Sequence, residues 1–127
     1  MVEGRRLHGE LEDPIVAAFR YRLEQDGWTV TVSRRGHNDP DIDARRGSER
    51  LIAEVKGRSL KDRGTALDIA YGQLLRRMRD DCARARFAIV VPRHAMKVAE
   101  RVSASVRARL GIEVFVVDDD GHVTPDP

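Results

Sequence analysis

The sequence has little cysteine, few aromatic residues and no long apolar run. Cys82 is the only cysteine among 127 residues, which excludes an internal disulfide and a four-cysteine zinc site. Aromatic residues make up 5% of the chain, which disfavours a broad surface for stacking on bases. No apolar run approaches the roughly 18 residues of a membrane helix, and residues 1–13 lack the apolar segment of a secretory signal. We therefore expect a cytoplasmic protein that has no membrane partner.

Charge of one sign is not in large excess either. The chain has 23 Lys and Arg against 21 Asp and Glu, so its formal net charge is +2. So small an excess does not by itself establish a nucleic-acid partner. Hydrophobic residues make up 41% of the chain, which is enough for one ordinary core at this length. We expect a single domain over residues 1–127, with frayed ends at 1–10 and 119–127.

The pattern of apolar residues predicts three helices and five strands. Asp13 followed by Pro14 is typical of a helix start, and Gly27 of the end of that helix. A second helix is predicted to begin with Thr65 as its cap, and a third to cover residues 95–111. The predicted strands are "WTVTVS", "DIDA", "LIAEVKG", "FAIVVP" and "IEVFVVD". The order α-β-β-β-α-β-α-β indicates a mixed α/β fold.

The second and third strands form a hairpin whose register the sequence defines. The dipeptide Gly47-Ser48 favours a two-residue turn, because Gly supplies the positive φ that a type II′ turn needs at its first position. With this turn Ile42 faces Ala53 and one face of the hairpin is consistently apolar. A slip of one residue would destroy that match.

The opposite face of the hairpin carries two acids across from each other. Asp41 faces Glu54, and Lys56 follows two residues later on the same side. Opposed Cβ atoms lie about 4.5–5.5 Å apart, so the two carboxylates can reach one cation such as Mg²⁺, with water and phosphate oxygens completing its ligands. Lys56 is suited to orient or deprotonate an attacking water, or to stabilise charge on a phosphate. The alternative is a solvated face with a surface ion pair worth about 0–1 kcal/mol.

The residues "PD" at 40–41 and "EVK" at 54–56, together with the element order, resemble the PD-(D/E)xK nuclease superfamily. The layout is similar to that of small nucleases such as archaeal Holliday junction resolvases. The resemblance implies a restriction-endonuclease-like fold and hydrolysis of DNA that depends on Mg²⁺ or Mn²⁺. It implies that Asp41 and Glu54 bind the metal, that the backbone carbonyl of Val55 is a further ligand, and that Lys56 is the catalytic lysine.

The same resemblance implies two further site residues. A glutamate near the first helix often adds a metal contact, and Glu12 is the first choice for it, with Glu10 second. Gln73 lies where several relatives place a polar residue that faces the site, although the preceding Tyr71 departs from the Gln-x-x-x-Tyr arrangement of some subgroups. A buried amide is the alternative for Gln73. Asp43 and His37 are interpreted as polar surface rather than metal ligands.

Basic residues flank the acids and could form a groove that holds phosphates. The candidates are Arg34, Arg35, Arg58, Lys61, Arg63, Arg76 and Arg77. The loop at 58–63 is favoured because it leaves the predicted catalytic strand directly. The expected partner is DNA, in repair, recombination or defence, and a homodimer would supply the two sites that cutting both strands needs. The alternatives are a noncatalytic nucleic-acid-binding or assembly module with this fold, and a metal enzyme that acts on nucleotides or another phosphate ester.

Overall fold

A computed structural model of the chain describes residues 6–7, 10–33, 39–79 and 84–127. Three of the residues singled out above, Arg34, Arg35 and His37, lie outside the described residues. The backbone of Glu10 is described but its side chain is not. The predictions for these four side chains therefore stay predictions.

The described residues form a mixed α/β fold with a six-stranded sheet, four α-helices and a small N-terminal hairpin. The hairpin strands are β1 (Arg6–Leu7) and β2 (Glu10–Leu11). The sheet contains β3 (Thr29–Val32), β4 (Ile42–Arg46), β5 (Glu49–Val55), β6 (Arg86–Pro92), β7 (Ile112–Val117) and β8 (Val123–Asp126). The helices are α1 (Pro14–Gln25), α2 (Arg63–Arg77), α3 (Met96–Ala99) and α4 (Ala104–Leu110), and a 3₁₀ turn at Arg93–Ala95 precedes α3.

The strands of the large sheet are ordered β3-β4-β5-β6-β7-β8. The three central strands β5, β6 and β7 are parallel, and the outer pairs are antiparallel. Parallel neighbours need a crossover, which α2 supplies between β5 and β6 and which α3 and α4 supply between β6 and β7. The mixed fold predicted from the sequence is therefore confirmed, in the predicted order from α1 to β7.

The register of the β4–β5 hairpin is also confirmed. Gly47 has a φ of 60°, which is the conformation that the predicted turn requires. Ile42 pairs with Ala53 and Ala44 pairs with Leu51, and all four of these side chains are buried. This face of the hairpin packs against α1 through residues such as Phe19.

Helices cover both faces of the sheet. On one face α1 presents Ile15, Phe19 and Leu23, spaced four residues apart so that they form one apolar stripe. On the other face α2 packs with Leu67 and Leu74, and the same cluster includes residues of the 3₁₀ turn and α3. Because Ile52 belongs to this second cluster, the strand face that carries Glu54 is buried as well.

Two helix predictions need correction. The second helix begins at Arg63, not after a Thr65 cap, because Asp62 takes a left-handed conformation (φ 52°) and reverses the chain there. The predicted helix over residues 95–111 is two helices. The hydroxyl of Ser103 accepts a hydrogen bond from the amide of Val106 and starts α4 as a new helix. Gly111, with φ 70°, ends α4 as expected.

The C-terminal residues are more ordered than the sequence suggested. A turn after Asp118 leads into β8, and Val123 pairs with Val117 and is buried. The expectation of fraying at 119–127 was therefore wrong for β8, because the last residues complete the edge of the sheet. None of the described helices is long and apolar enough to cross a membrane.

Candidate metal and phosphate site

The structure brings Asp41 and Glu54 together, as the hairpin register predicts. Asp41 immediately precedes β4, and its Oδ2 accepts a 2.7 Å hydrogen bond from the amide of Val55. Glu54 lies near the end of β5 and is only 2% exposed. The charge of Asp41, which is itself half-buried, acts on the Glu54 carboxyl group. The two acids are thus neighbours in a site with limited access to water.

Burial and mutual repulsion shift the pKa of both acids. The pKa of Glu54 is raised to about 7, because burial and the charge of Asp41 raise it and Arg77 only partly opposes them. Burial also raises the pKa of Asp41, against the opposing effects of the Val55 amide and the Glu54 carboxyl. The pair therefore takes up a proton at a higher pH than isolated carboxyl groups do, because its neighbours do not fully compensate the two negative charges.

Arg77 is the cation that faces this pair. It is the last residue of α2, and its Nε lies 3.2 Å from Oε2 of Glu54. The sequence predicts both Arg76 and Arg77 in the phosphate groove, but neighbouring residues in a helix point about 100° apart. Arg77 turns toward β5 and pairs with the acid, whereas Arg76 is exposed.

Lys56 follows directly after β5 and is buried within the loop that it begins. It is 6% exposed, and its Nζ donates hydrogen bonds to the carbonyls of Gly57 (2.8 Å) and Ser59 (2.6 Å). Burial lowers the pKa of Lys56, Asp13 raises it, and Arg63 lowers it. A buried amine with a lowered pKa gives up a proton more readily than an exposed lysine, which is a property that acid–base chemistry uses.

Asp13 is a site residue that the sequence analysis did not identify. Its Oδ1 caps α1 by accepting a 2.8 Å hydrogen bond from the Ile15 amide. A Cβ atom placed on Gly57 would lie 2.7 Å from Oδ2 of Asp13, and the charge of Asp13 acts on both Asp41 and Lys56. The only available signal was its role as a helix cap, which does not reveal what the start of α1 packs against.

Glu12, the glutamate predicted to add a metal contact, is directed elsewhere. Its Oε1 lies 3.1 Å from Nη1 of Arg20, and its side chain is 2% exposed. Its Oε2 is buried and has no hydrogen-bond partner. Glu12 does not approach Asp41 and Glu54 closely enough for ligand atoms of all three to lie within 4.8 Å of one another. Among the described residues, only one group of three meets that distance, namely Asp118, Asp120 and His122.

Gln73 and Asp43 differ in whether their side chains already form hydrogen bonds with other residues. Gln73 is half-buried, one helical turn before Arg77 on the same side of α2. In the part of the chain that the structure describes, its amide makes no hydrogen bond, so it is available to a ligand. Asp43 accepts two hydrogen bonds from Arg50, at 3.0 and 2.8 Å, so its carboxylate is already paired with an arginine.

The basic residues of the loop after β5 gather beside Lys56. Arg58 and Lys61 are exposed. Arg63 donates a 2.6 Å hydrogen bond to the carbonyl of His94, and the His94 ring contacts the carbonyl of Arg58 at 3.1 Å. The loop is thereby fastened to the 3₁₀ turn, and it presents the exposed charges of Arg58 and Lys61 in the segment that follows Lys56. Arg76 does not belong to this group because it lies on the outer face of α2.

These features define a class of protein: a mixed α/β domain in which the buried carboxyl group of Glu54 and the half-buried one of Asp41 lie together at one end of the β4–β5 hairpin, with a buried lysine following directly after β5. Such a set of oxygen donors fits a hard divalent cation.

The fold is similar to that of solved cyanobacterial structures. An XisH family protein from Nostoc punctiforme matches with a TM-score of 0.59 and 22% identity, over 88% of this chain and 97% of that one. An FdxN element excision controlling factor protein from Anabaena variabilis matches with a TM-score of 0.64 and 18% identity, over 89% of this chain and 97% of that one. At these identities the likeness shows the fold alone. No protein-family model and no curated protein matches the chain.

Proposed function

We propose that this chain is a Mg²⁺- or Mn²⁺-dependent phosphodiesterase that hydrolyses DNA, as a nuclease of the PD-(D/E)xK type. The observation that carries the proposal is the pairing of buried Glu54 with half-buried Asp41, followed two residues after Glu54 by the buried Lys56. Burying an acid next to a second acid is costly unless a cation compensates them. Their raised pKa values indicate that Arg77 alone does not do so.

The two acids fit a metal ion by their chemistry. The Val55 amide engages Oδ2 of Asp41 and Arg77 engages Oε2 of Glu54, so each carboxyl group has a second oxygen besides these. The carbonyl of Val55 is the third proposed ligand. A divalent ion held here would supply Lewis-acid polarisation of the phosphate and a lowered pKa for an attacking water.

The remaining site residues have roles that follow from their surroundings. Lys56 has a lowered pKa and uses two of its three N–H donors on loop carbonyls, so the third donor can orient water or stabilise charge on the phosphate. The unpaired amide of Gln73 can orient the same water. Arg58, Lys61 and Arg63 would hold the flanking phosphates. The description of one structural neighbour as an element excision controlling factor is compatible with a DNA substrate.

The test is cleavage of a panel of labelled nucleic acids by the purified chain. The panel contains linear duplex, nicked duplex, branched DNA, single strands and an RNA, each incubated with Mg²⁺, with Mn²⁺ and with EDTA. We expect metal-dependent cleavage of at least one DNA form. Glu54→Gln and Lys56→Ala should each reduce the rate by about 100-fold or more.

Asp43→Asn is the matched control, because Asp43 is an acid on the same hairpin face that pairs with Arg50. This variant should keep a rate close to that of the parent. Cleavage by Glu54→Gln at the parental rate, or no cleavage of any substrate in either metal, would contradict the proposed activity.

A noncatalytic nucleic-acid-binding or assembly module is the second candidate. It is favoured by the ion pair of Glu54 with Arg77 and by the loop carbonyls that already engage Lys56. In that case the charged groups would serve to fix the loop after β5. Divalent metal would then leave the melting temperature unchanged, and Glu54→Gln would bind DNA as the parent does.

A further inference from the structure

The outer face of α2 combines exposed apolar residues with charges of both signs. Its members share an arc of about 120° around the helix, centred on Gly72. They are Thr65, Asp68, Ile69, Gly72, Leu75 and Arg76. Ile69 is 55% exposed and Leu75 is 42% exposed. The buried stripe of the helix, which includes Leu74, points away from this arc.

No contact among the described residues explains why position 72 is a glycine. It lies in the middle of α2, where glycine is among the poorest helix formers. Its φ is not in the left-handed region, and a Cβ placed on it would meet none of the described atoms within 4 Å. An alanine would therefore fit at this position in the isolated chain. A helix surface that lacks a side chain at its centre allows the backbone of another helix to approach closely.

The outer face is symmetric about Gly72 in a way that suits pairing with itself. Ile69 lies three residues before Gly72 and Leu75 three residues after it. Asp68 lies four residues before and Arg76 four residues after. In two antiparallel copies of α2 that cross at Gly72 with their Asp68, Gly72 and Arg76 rows aligned, Asp68 of each copy meets Arg76 of the other. Ile69 and Leu75 flank this row on its two sides, so the crossing combines two contacts of opposite charge with an apolar border.

We propose that this face of α2 binds the same face of a second copy of the chain, as an antiparallel helix pair with its twofold axis at Gly72. A twofold interface must be self-complementary, and the order acid, apolar, glycine, apolar, base meets that condition along one helix. The mixture of Asp68 with apolar residues makes the face a poor surface for a phosphate backbone. Gln73 and Arg77 lie outside the arc, so the acid site of each copy stays accessible.

The test uses charge reversal in the full-length chain, followed by sedimentation equilibrium. Asp68→Arg places arginines opposite each other in a homodimer, and Arg76→Asp places aspartates opposite each other. Each variant alone should dimerise at least tenfold more weakly than the parent. A heterodimer of the two variants has one copy with arginine at both positions and one copy with aspartate at both. Every charged contact across the twofold axis is then of opposite sign, so mixing the variants should restore association.

Two further variants separate this interface from general effects. Ile69→Asp should also weaken dimerisation. Val106→Asp, at a residue of α4 with 42% exposure, should leave it unchanged. Circular dichroism and melting curves establish that each variant is folded. The proposal is wrong if the parent is monomeric throughout the micromolar range, if the charge variants dimerise like the parent, or if their mixture does not associate. A loss of DNA affinity in Arg76→Asp with unchanged association would assign the face to DNA instead.

Discussion

The Nε atom of Arg77 lies 3.2 Å from Oε2 of Glu54, so the last turn of α2 supplies the cation that faces the pair of Glu54 and Asp41. The contact joins the end of the first crossover helix to the strand on which the proposed chemistry depends. Arg77 and a metal ion would compete for the carboxylate of Glu54. The strength of metal binding should therefore depend on this helix end.

Replacing Arg77 by Gln should destabilise the metal-free protein and strengthen its response to metal. Removing the partner of a buried charge costs about 1–3 kcal/mol, and the site that remains is more negative. Urea denaturation in EDTA measures the loss, and calorimetric titration with Mn²⁺ measures the gain in affinity. Arg109→Gln is the control, because Arg109 is an exposed arginine in the last turn of α4. If both substitutions change stability and Mn²⁺ affinity equally, the effect of Arg77 comes from its position at a helix C-terminus and not from its contact with Glu54.

Asp41→Asn should reverse the order of stability between metal-free and metal-bound protein. Asn keeps an oxygen that can accept from the Val55 amide, but it removes a negative charge next to Glu54. In EDTA the variant should therefore melt at a higher temperature than the parent. Metal that binds the folded state raises the parental melting temperature, and the variant should respond less because it has lost a ligand. Lower stability in EDTA together with equal gains from metal would make Asp41 a structural hydrogen-bond acceptor only.

The metal-free protein should lose stability as the pH rises from about 4.5 to about 7. Glu54 has a pKa of about 7 in the folded state against an ordinary value of 4.5, so the folded state binds its proton more tightly than the unfolded state does. This contribution to stability is fully present below pH 4.5 and is lost as the pH passes through 7. Denaturation of the parent and of Glu54→Gln at a series of pH values measures it. The difference in unfolding free energy between the two proteins should change across this window, and a constant difference would contradict the shift.

Gly57→Ala should destabilise the protein through Asp13. The added Cβ would lie 2.7 Å from Oδ2 of Asp13, and moving that carboxylate weakens the cap of α1. A lost cap costs about 1 kcal/mol. Asp13→Ala should cost a similar amount, and the double variant should cost less than the sum because both changes remove the same cap. Gly64→Ala is the control, since its Cβ would meet only the end of the Arg101 side chain, at 3.0 Å. Additive effects would show that Gly57 and Asp13 act separately.

Neutralising the loop after β5 should flatten the salt dependence of DNA binding. Each phosphate contact contributes about 0.9 to the slope of log affinity against log salt, so replacing Arg58, Lys61 and Arg63 by Gln should reduce the slope by about 1–3. Fluorescence anisotropy in EDTA gives the slope without cleavage. A control variant replaces three exposed arginines elsewhere, namely Arg45, Arg84 and Arg109. If the control changes the slope and the loop variant does not, DNA binds elsewhere.

The sequence predicted the part of the site that local geometry determines. Gly47-Ser48 sets the turn and the alternation of apolar residues sets the register, so the pairing that brings Asp41 to Glu54 followed from the residues alone. The roles of Arg77 and Asp13 could not be predicted from the residues alone. They depend on where the end of α2 and the start of α1 pack against β5. Tertiary packing of this kind leaves no periodic trace in the sequence.

The same distinction applies to the fold. The order of elements could be predicted because buried strands and amphipathic helices have different periods. The division of the third helix depends on a single capping hydroxyl, that of Ser103. The last strand exists because β7 offers it a partner, since "VTPD" alone has no strong strand pattern.

That last strand also limits how the sheet can grow. Pro125 lies within β8 and pairs with Phe115 of β7, and a proline has no amide hydrogen to donate to a further strand. The outer rim of β8 therefore offers an incomplete hydrogen-bonding ladder, which is a common protection of edge strands against aggregation. Residues 123–126 thus end the sheet on this side. Edge-to-edge pairing of β8 with a strand of another molecule is disfavoured.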